Sequence, residues 1–127
     1  MEDSVLITRL HQACGKQLAL YRQLCDFTQR MLQRLVMSRG DMTGLRDVFE
    51  QKRRLVGEIE RERAGMHELA GRWQERKSQV VQCAATRDLD TLFGSMETAI
   101  RKYLELEAQV RTYLEHAVGT GTTPDGE

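Results

Sequence analysis

Proline, aromatic side chains and net charge are all scarce in this chain of 127 residues. The only proline is Pro124, and Val, Ile and aromatic residues are few beside the many Leu, Arg, Glu and Gln residues. Because proline breaks helices and β-branched and aromatic residues favour strands, this composition predicts an all-α fold. Nineteen basic and nineteen acidic side chains balance each other, which excludes the broad positive surface typical of a nucleic-acid-binding protein.

Long apolar runs are missing as well. Hydrophobic residues make up 40% and charged residues 30% of the chain, and they interleave too closely for a transmembrane helix or a signal-peptide core. Of the three cysteines, Cys14 and Cys25 lie too far apart on one helix for a disulfide, and Cys83 is the odd one left over. We therefore expect reduced thiols, no membrane insertion and a cytoplasmic location.

Catalytic and metal-binding motifs are absent from the sequence. His11 and Cys14 are spaced to form half of a metal site on one helix, but no second pair of ligands is evident to complete it. The remaining histidines stand apart, and no nucleophile or glycine-rich phosphate loop occurs in a recognisable setting. We expect no enzyme activity, no catalytic residue, no cofactor and no metal.

The spacing of apolar residues predicts a single helical domain over residues 1–118. Steps of three and four recur along almost the whole chain, which gives each helix one buried face. The expected helices cover about 4–38, 42–86 and 89–118. A split of the second helix near Gly65, which would give four helices, is the alternative. Residues 119–127 are polar and rich in glycine, so we expect a disordered tail there.

Capping residues suggest where these helices begin. Asp3 or Ser4 is expected to cap the first helix, and Asp88 the third. Between the first two helices, Gly40 can adopt the left-handed conformation that ends a helix, and Asp41 can cap the next one. Short turns at both places make consecutive helices antiparallel.

The helix lengths predict an elongated, antiparallel bundle. The second helix is expected to be the longest, so the first would pair with its first two-thirds and the third with its last two-thirds. Full overlap would then cover only the middle, where Trp73 is expected to be buried, and a two-helix hairpin would protrude at each end. Such hairpins leave apolar surface exposed, and a protein partner or a second copy in a homodimer would complete the core.

The third helix has more apolar positions than one narrow stripe requires. Packing against the second helix explains many of them, and a surface groove for an amphipathic helix is the functional alternative. The candidate partner-binding residues are Tyr103, Leu106, Val110, Tyr113 and Leu114.

Residues 21–60 resemble the flagellar export chaperones of the FliT and FlgN type. The shared pattern is a helix with a Met-Leu pair, a Gly-Asp turn, and a second helix with a spaced Leu, basic residues and a Leu-Val pair. In this chain the elements are Met31-Leu32, Gly40-Asp41, Leu45, Lys52-Arg53-Arg54 and Leu55-Val56. The resemblance does not decide between FliT and FlgN, because Met42 stands where FliT-like sequences have Trp and the end of the first helix lacks the acidic residues of FlgN-like ones.

This resemblance implies a cytoplasmic chaperone in bacterial flagellum biogenesis, which is a type III secretion process. Its client would be a filament-cap or hook–filament junction protein, bound through a C-terminal amphipathic helix. The C-terminal helix of the chaperone would regulate it or dock at the export apparatus. The alternative is a self-associating coiled-coil scaffold or adaptor with no role in secretion.

Overall fold

The structure, a computed structural model, describes residues 2–38 and 44–122, with side chains up to residue 116. It contains three long helices joined by short connections, and no strand occurs in either range. They are α1 (Asp3–Met37), α2 (Leu45–Arg76) and α3 (Ala84–Thr122), with a 3₁₀ turn (Lys77–Gln79) after α2. The all-α bundle is confirmed, and α2 passes through Gly65 without a break. Within the described ranges, no helix is long and apolar enough to cross a membrane.

Helix α1 lies at the centre of the bundle and packs against both α2 and α3. It supplies more than half of the buried side chains, namely Leu6, Leu10, Cys14, Gln17, Leu18, Leu20, Leu24, Cys25, Thr28, Met31 and Leu35. Helix α2 buries only Leu45, Ile59 and Trp73. The expectation that α3 packs mainly on the second helix was therefore wrong. The wide apolar face of α1 has room for two neighbours, whereas the narrower face of α2 has room for one.

The contacts along α1 give the directions of the helices. Asp3 at its start pairs with Arg76 at the end of α2, so these two helices run antiparallel. The Cys25 thiol donates to the Ala99 carbonyl oxygen at 3.4 Å, and Met31 shares a cluster with Val110 further along. Helices α1 and α3 are therefore parallel to each other and antiparallel to α2.

All three helices overlap along nearly the whole bundle. Leu10, Trp73 and Leu89 share a cluster at one end, and Leu35 and Val110 share another at the opposite end. The protruding hairpins expected from the sequence do not form. Helix α2 ends at Arg76, level with the first turn of α1, because beyond that point it would have no surface to pack on. Trp73 is buried in the overlap, as expected.

The helix ends differ from the predicted caps. Helix α1 starts after Glu2 with no side-chain cap, so neither Asp3 nor Ser4 has that role. Asp88 lies inside α3, which begins earlier, where the Thr86 hydroxyl accepts a hydrogen bond from the Cys83 backbone N–H at 2.8 Å. Thr86 is the third residue of α3, and its hydroxyl satisfies the backbone N–H of the residue before the helix, as the corresponding residue of a capping box does.

The two ends of the predicted domain fall partly outside the described residues. The expected turn at Gly40 and Asp41 lies there, but Gly44 immediately before α2 has φ +81°, which favours glycine. Helix α3 continues to Thr122. Four of the residues expected in a disordered tail therefore have helical backbone, and residues 123–127 are not described.

Candidate functional site

The two outer helices stand apart. Over the described residues, no Cα atom of α2 lies within 8 Å of a Cα atom of α3, although both helices come this close to α1. In a close-packed three-helix bundle every pair of helices touches, whereas in a square four-helix bundle the diagonal pair does not. Helices α2, α1 and α3 therefore occupy three corners of a four-helix arrangement. The fourth corner, between α2 and α3 on the side away from α1, is named the open corner below.

Side chains of α2 and α3 contact each other at the inner side of the open corner. The Lys52 ammonium on α2 pairs with the Glu107 carboxylate on α3 and lies 5.9 Å from the centre of the Tyr103 ring. The Tyr103 ring in turn faces Tyr21 of α1, with ring centres 6.4 Å apart. These four residues, named the polar bridge below, tie all three helices together at one level.

Within the polar bridge, burial keeps the Tyr103 phenol protonated. The Lys52 and Glu107 side chains are only 14% and 22% exposed. Burial, together with the hydrogen bond that its hydroxyl donates to Glu107, raises the pKa of Tyr103 above its usual value. The phenol therefore remains protonated and acts as a donor at neutral pH. A carboxylate held by both a lysine and a tyrosine is typical of a structural link between helices.

Two buried oxygen atoms at this level have no hydrogen-bond partner among the described residues. They are the hydroxyl of Thr28 on α1 and Oε2 of Glu107. Met31 and Val110, one turn further along the parallel helices, share a cluster, so Thr28 and Glu107 are level with each other. A buried polar group without a partner costs about 1–3 kcal/mol.

One stripe of α3 borders the open corner. Glu107 reaches toward α2, and residues at steps of three and four from it lie on the same flank. The half-buried members are Phe93, Ile100, Glu107 and Leu114, and the exposed members are Glu97, Leu104 and Arg111. Leu104 is 59% exposed, which makes it the large apolar side chain of described α3 most open to solvent. Its position in the middle of this stripe marks the corner as incompletely covered.

The facing stripe of α2 follows the same spacing. Its half-buried members are Phe49 and Val56, and its exposed members are Arg46, Arg53, Glu60 and Arg63. Val56 packs against the cluster that includes Tyr103 of α3, which places this flank of α2 beside the corner. At the end near the α1–α2 connection, the stripe opens into a recess of about 480 Å³. The recess is lined by Leu45, Arg46, Phe49, Glu50 and Arg53.

The structure separates the five partner-binding candidates of α3. Leu106 and Val110 are buried, and Val110 is only 2% exposed, so neither offers a surface to a partner while α3 stays packed. Tyr103 belongs to the polar bridge. Tyr113 and Leu114 are half-buried against the cluster that contains Val110, and Leu114 alone of the five lies on an exposed stripe. A partner-binding role for these residues remains a prediction.

The cysteines and histidines do not come together. In the parts of the chain that are described, no group of three His, Cys, Asp or Glu side chains could hold a metal ion. Cys14 is buried beside exposed His11, and burial raises the pKa of its thiol to about 11. Cys83 is exposed at the start of α3, where hydrogen bonds from the Thr86 and Ala85 backbone lower its pKa. The three thiols are free, and Cys83 is the reactive one.

Two other grooves run along the outside of α1. The larger, about 740 Å³, lies against small residues of α3 such as Gly94, Ser95 and Thr98. The smaller, about 380 Å³, lies over Phe27 and Leu55 between α1 and α2. Neither groove includes a large apolar side chain that is mostly exposed. The open corner is therefore the stronger candidate for a binding surface.

No protein-family profile, no curated protein and no solved structure matches this chain. The resemblance of residues 21–60 to flagellar export chaperones therefore has no support from these comparisons.

Sequence reasoning missed two residues that define the open corner. Leu104 was counted among the apolar positions of the third helix without being chosen as a site residue. Lys52 falls midway between the buried Leu45 and Ile59 at heptad spacing, so it occupies a core-facing position of α2. A lysine at such a position is the signal that could have revealed the polar bridge.

Proposed function

We propose that this chain is a non-enzymatic chaperone or adaptor whose open corner binds an amphipathic helix of a protein partner. The observation that supports this proposal is the exposure of Leu104 between two helices whose described Cα atoms all lie more than 8 Å apart. A fourth helix with an apolar stripe would cover Leu104 together with half-buried Phe93 and Ile100. Binding of this kind draws its affinity from a few apolar anchors spaced along the helix.

We further propose that the partner is a flagellar export substrate, either a filament-cap or a hook–filament junction protein. The chain would then act in the cytoplasm of a bacterium and deliver its client to the export apparatus. Support for this finer proposal is the residue pattern from Tyr21 to Glu60, with its Gly40-Asp41 and Leu55-Val56 pairs. The same corner would also accept a second copy of the chain, which is the scaffold alternative.

The test is binding of fluorescent peptides that cover the C-terminal helices of the filament-cap and hook–filament junction proteins from the same organism. Leu104→Glu should weaken binding at least about tenfold, because the introduced charge must be desolvated in the contact. Val81→Glu is the matched control, since Val81 is also exposed but lies in the connection before α3. Thermal unfolding should be unchanged in both variants.

Two results would count against the proposal. If Leu104→Glu and Val81→Glu bind the peptides equally well, the open corner is not the binding surface. If light scattering shows a dimer that Leu104→Glu converts to a monomer, a second copy occupies the corner, and the chain is a scaffold rather than a chaperone.

A further inference from the structure

The charges along the open corner are ordered from one end to the other. Lys52 lies opposite Tyr103 and Glu107. Since α2 and α3 are antiparallel and Lys52 contacts both Tyr103 and Glu107, a step back from Lys52 on α2 matches an equal step forward on α3 from the position midway between these two residues. Arg46 is therefore level with Arg111, at the end near the α1–α2 connection. Both side chains are exposed, so this end of the corner has a basic rim.

The opposite charge appears further along. Going forward from Lys52 on α2 and back from Tyr103 on α3 brings Glu60 level with Glu97. Both carboxylates are exposed, and neither forms an ion pair with another described residue. The basic and acidic pairs are separated by four helical turns of α2, or about 21 Å. The rim is therefore basic at one end, and its two exposed carboxylates lie near its middle, with Glu60 between Arg53 and Arg63 on α2.

The recess at the basic end strengthens this pattern. Its floor is formed by Leu45 and Phe49, and Arg46 and Arg53 lie at its edge, with Glu50 as its single acidic group. An apolar side chain of a partner could enter this recess while a neighbouring carboxylate met the guanidinium groups. An aspartate or glutamate next to an apolar residue is the chemistry that fits.

We propose that the open corner selects a partner helix by the order of its charges, and that this order fixes the direction in which the helix binds. The acidic end of the helix lies beside Arg46 and Arg111, and its basic end lies beside Glu60 and Glu97. This proposal rests on the helix-binding function proposed above. The occupant is a separate helix rather than a second copy, because no described helix of this chain has an exposed apolar stripe that could lie along the corner. Apart from Leu104, the exposed large apolar side chains lie near the ends of α1 or in the connection before α3, namely Val5, Val36, Met37 and Val81.

Exposed ion pairs suit this directional role. Each one adds little to affinity, because water and salt screen it. Several of them along a groove nevertheless disfavour the reversed helix, since the two arginines and the two glutamates of these pairs would then each face their own sign. The apolar anchors supply the affinity, and the rim supplies the direction.

The experiment uses two synthetic amphipathic peptides of about 20 residues with the same apolar stripe. One has glutamates in its first half and lysines in its second half, and the other has the reverse order. Both carry an acceptor dye at the N-terminus, and the full chain carries a donor on Cys83, which is exposed while Cys14 and Cys25 are buried. Cys83 lies at the end of the bundle away from Arg46 and Arg111.

Energy transfer should be low for the peptide that begins with glutamates and higher for the peptide that begins with lysines. The order should invert in a variant with exchanged rim charges, namely Arg46→Glu, Arg111→Glu, Glu60→Arg and Glu97→Arg. Circular dichroism checks that this variant is folded, as is expected for four exposed positions. If the order of energy transfer inverts with the same two peptides, a difference in their intrinsic helicity cannot be the cause of the different transfer.

Each remaining outcome overturns a defined part of the proposal. Equal transfer from both peptides, with binding still lost in Leu104→Glu, overturns the charge order and leaves the helix-binding function intact. Failure of both peptides to bind, when the client peptides do bind, also overturns the charge order alone. Binding that is insensitive to Leu104→Glu overturns both.

Discussion

Lys52 and Glu107 meet across a gap that no backbone contact between α2 and α3 closes. The pair is mostly shielded from water between the two helices, and the Lys52 ammonium also lies over the Tyr103 ring. An ion pair that is mostly removed from water is rarely a net source of stability compared with apolar residues. Its effect here is to fix which turn of α2 faces which turn of α3, and so to hold the open corner at a defined width.

Removing one partner of this pair should destabilise the bundle. Lys52→Ala leaves the Glu107 carboxylate half-buried without its cation, so we expect a loss of about 2–3 kcal/mol in the free energy of unfolding. Chemical denaturation at neutral pH measures this. The double variant Lys52→Met/Glu107→Met should recover most of the loss, because it removes both charges. A double variant less stable than Lys52→Ala would show that the ion pair is a net stabiliser.

Val110 and Leu114 should respond differently to a charge, although both were candidates for partner binding. Val110 is enclosed in a core cluster, so Val110→Glu should cost about 3 kcal/mol or more and broaden or abolish cooperative unfolding. Leu114 is half-buried at the margin of that cluster, so Leu114→Glu should cost less than about 1.5 kcal/mol. Thermal unfolding followed by circular dichroism compares them, and equal losses would contradict the placement of α3.

Trp73 should anchor the end of the bundle where α2 stops. It is buried in a cluster with residues of α1 and α3, so Trp73→Ala should cost about 3–5 kcal/mol. Trp73→Phe should cost clearly less, because much of the cavity remains filled. As the chain has one tryptophan, its fluorescence reports this site directly. Emission that is already typical of indole in water before unfolding would contradict the burial.

Cys83 should be the first thiol to react with iodoacetamide. Its pKa is lowered from an ordinary value of 9.0, because backbone N–H groups at the start of α3 stabilise the thiolate. The thiolate therefore forms at a lower pH than in the unfolded chain, and the midpoint of the rate against pH should lie below 9.0. Cys14 has its pKa raised to about 11 and is buried, so it should react only on unfolding. A fast reaction that persists in Cys83→Ser would contradict this assignment.

The sequence predicted the helices well and their packing poorly. Steps of three and four marked the apolar face of each helix. The absence of proline before Pro124 agreed with long helices, because a proline would break them. The same pattern continued through Val80 and Val81, so the end of α2 at Arg76 was not visible in it. That end depends on where α1 begins, as the pairing of Asp3 with Arg76 shows. A local pattern contains no information on how far a neighbouring helix extends.

The candidate site was likewise predicted only in part. The apolar richness of the third helix was evident from its spacing, but the sequence did not distinguish buried Val110 from exposed Leu104. Both fall on apolar positions of one helix, and they differ only in which neighbour each one faces. That difference is decided by the position of α1 between the two outer helices.

The sequence by itself therefore determined the number of long helices, the antiparallel order of consecutive helices and the burial of Trp73. These features follow from periodicity and short connections, which are properties of a chain segment alone. Only the tertiary structure decided that α1 is central, that α2 and α3 stand apart and that Leu104 faces an open corner. The physical reason is that the width of a helix's apolar face limits how many neighbours it can accept, and which neighbours they are depends on all three helices together.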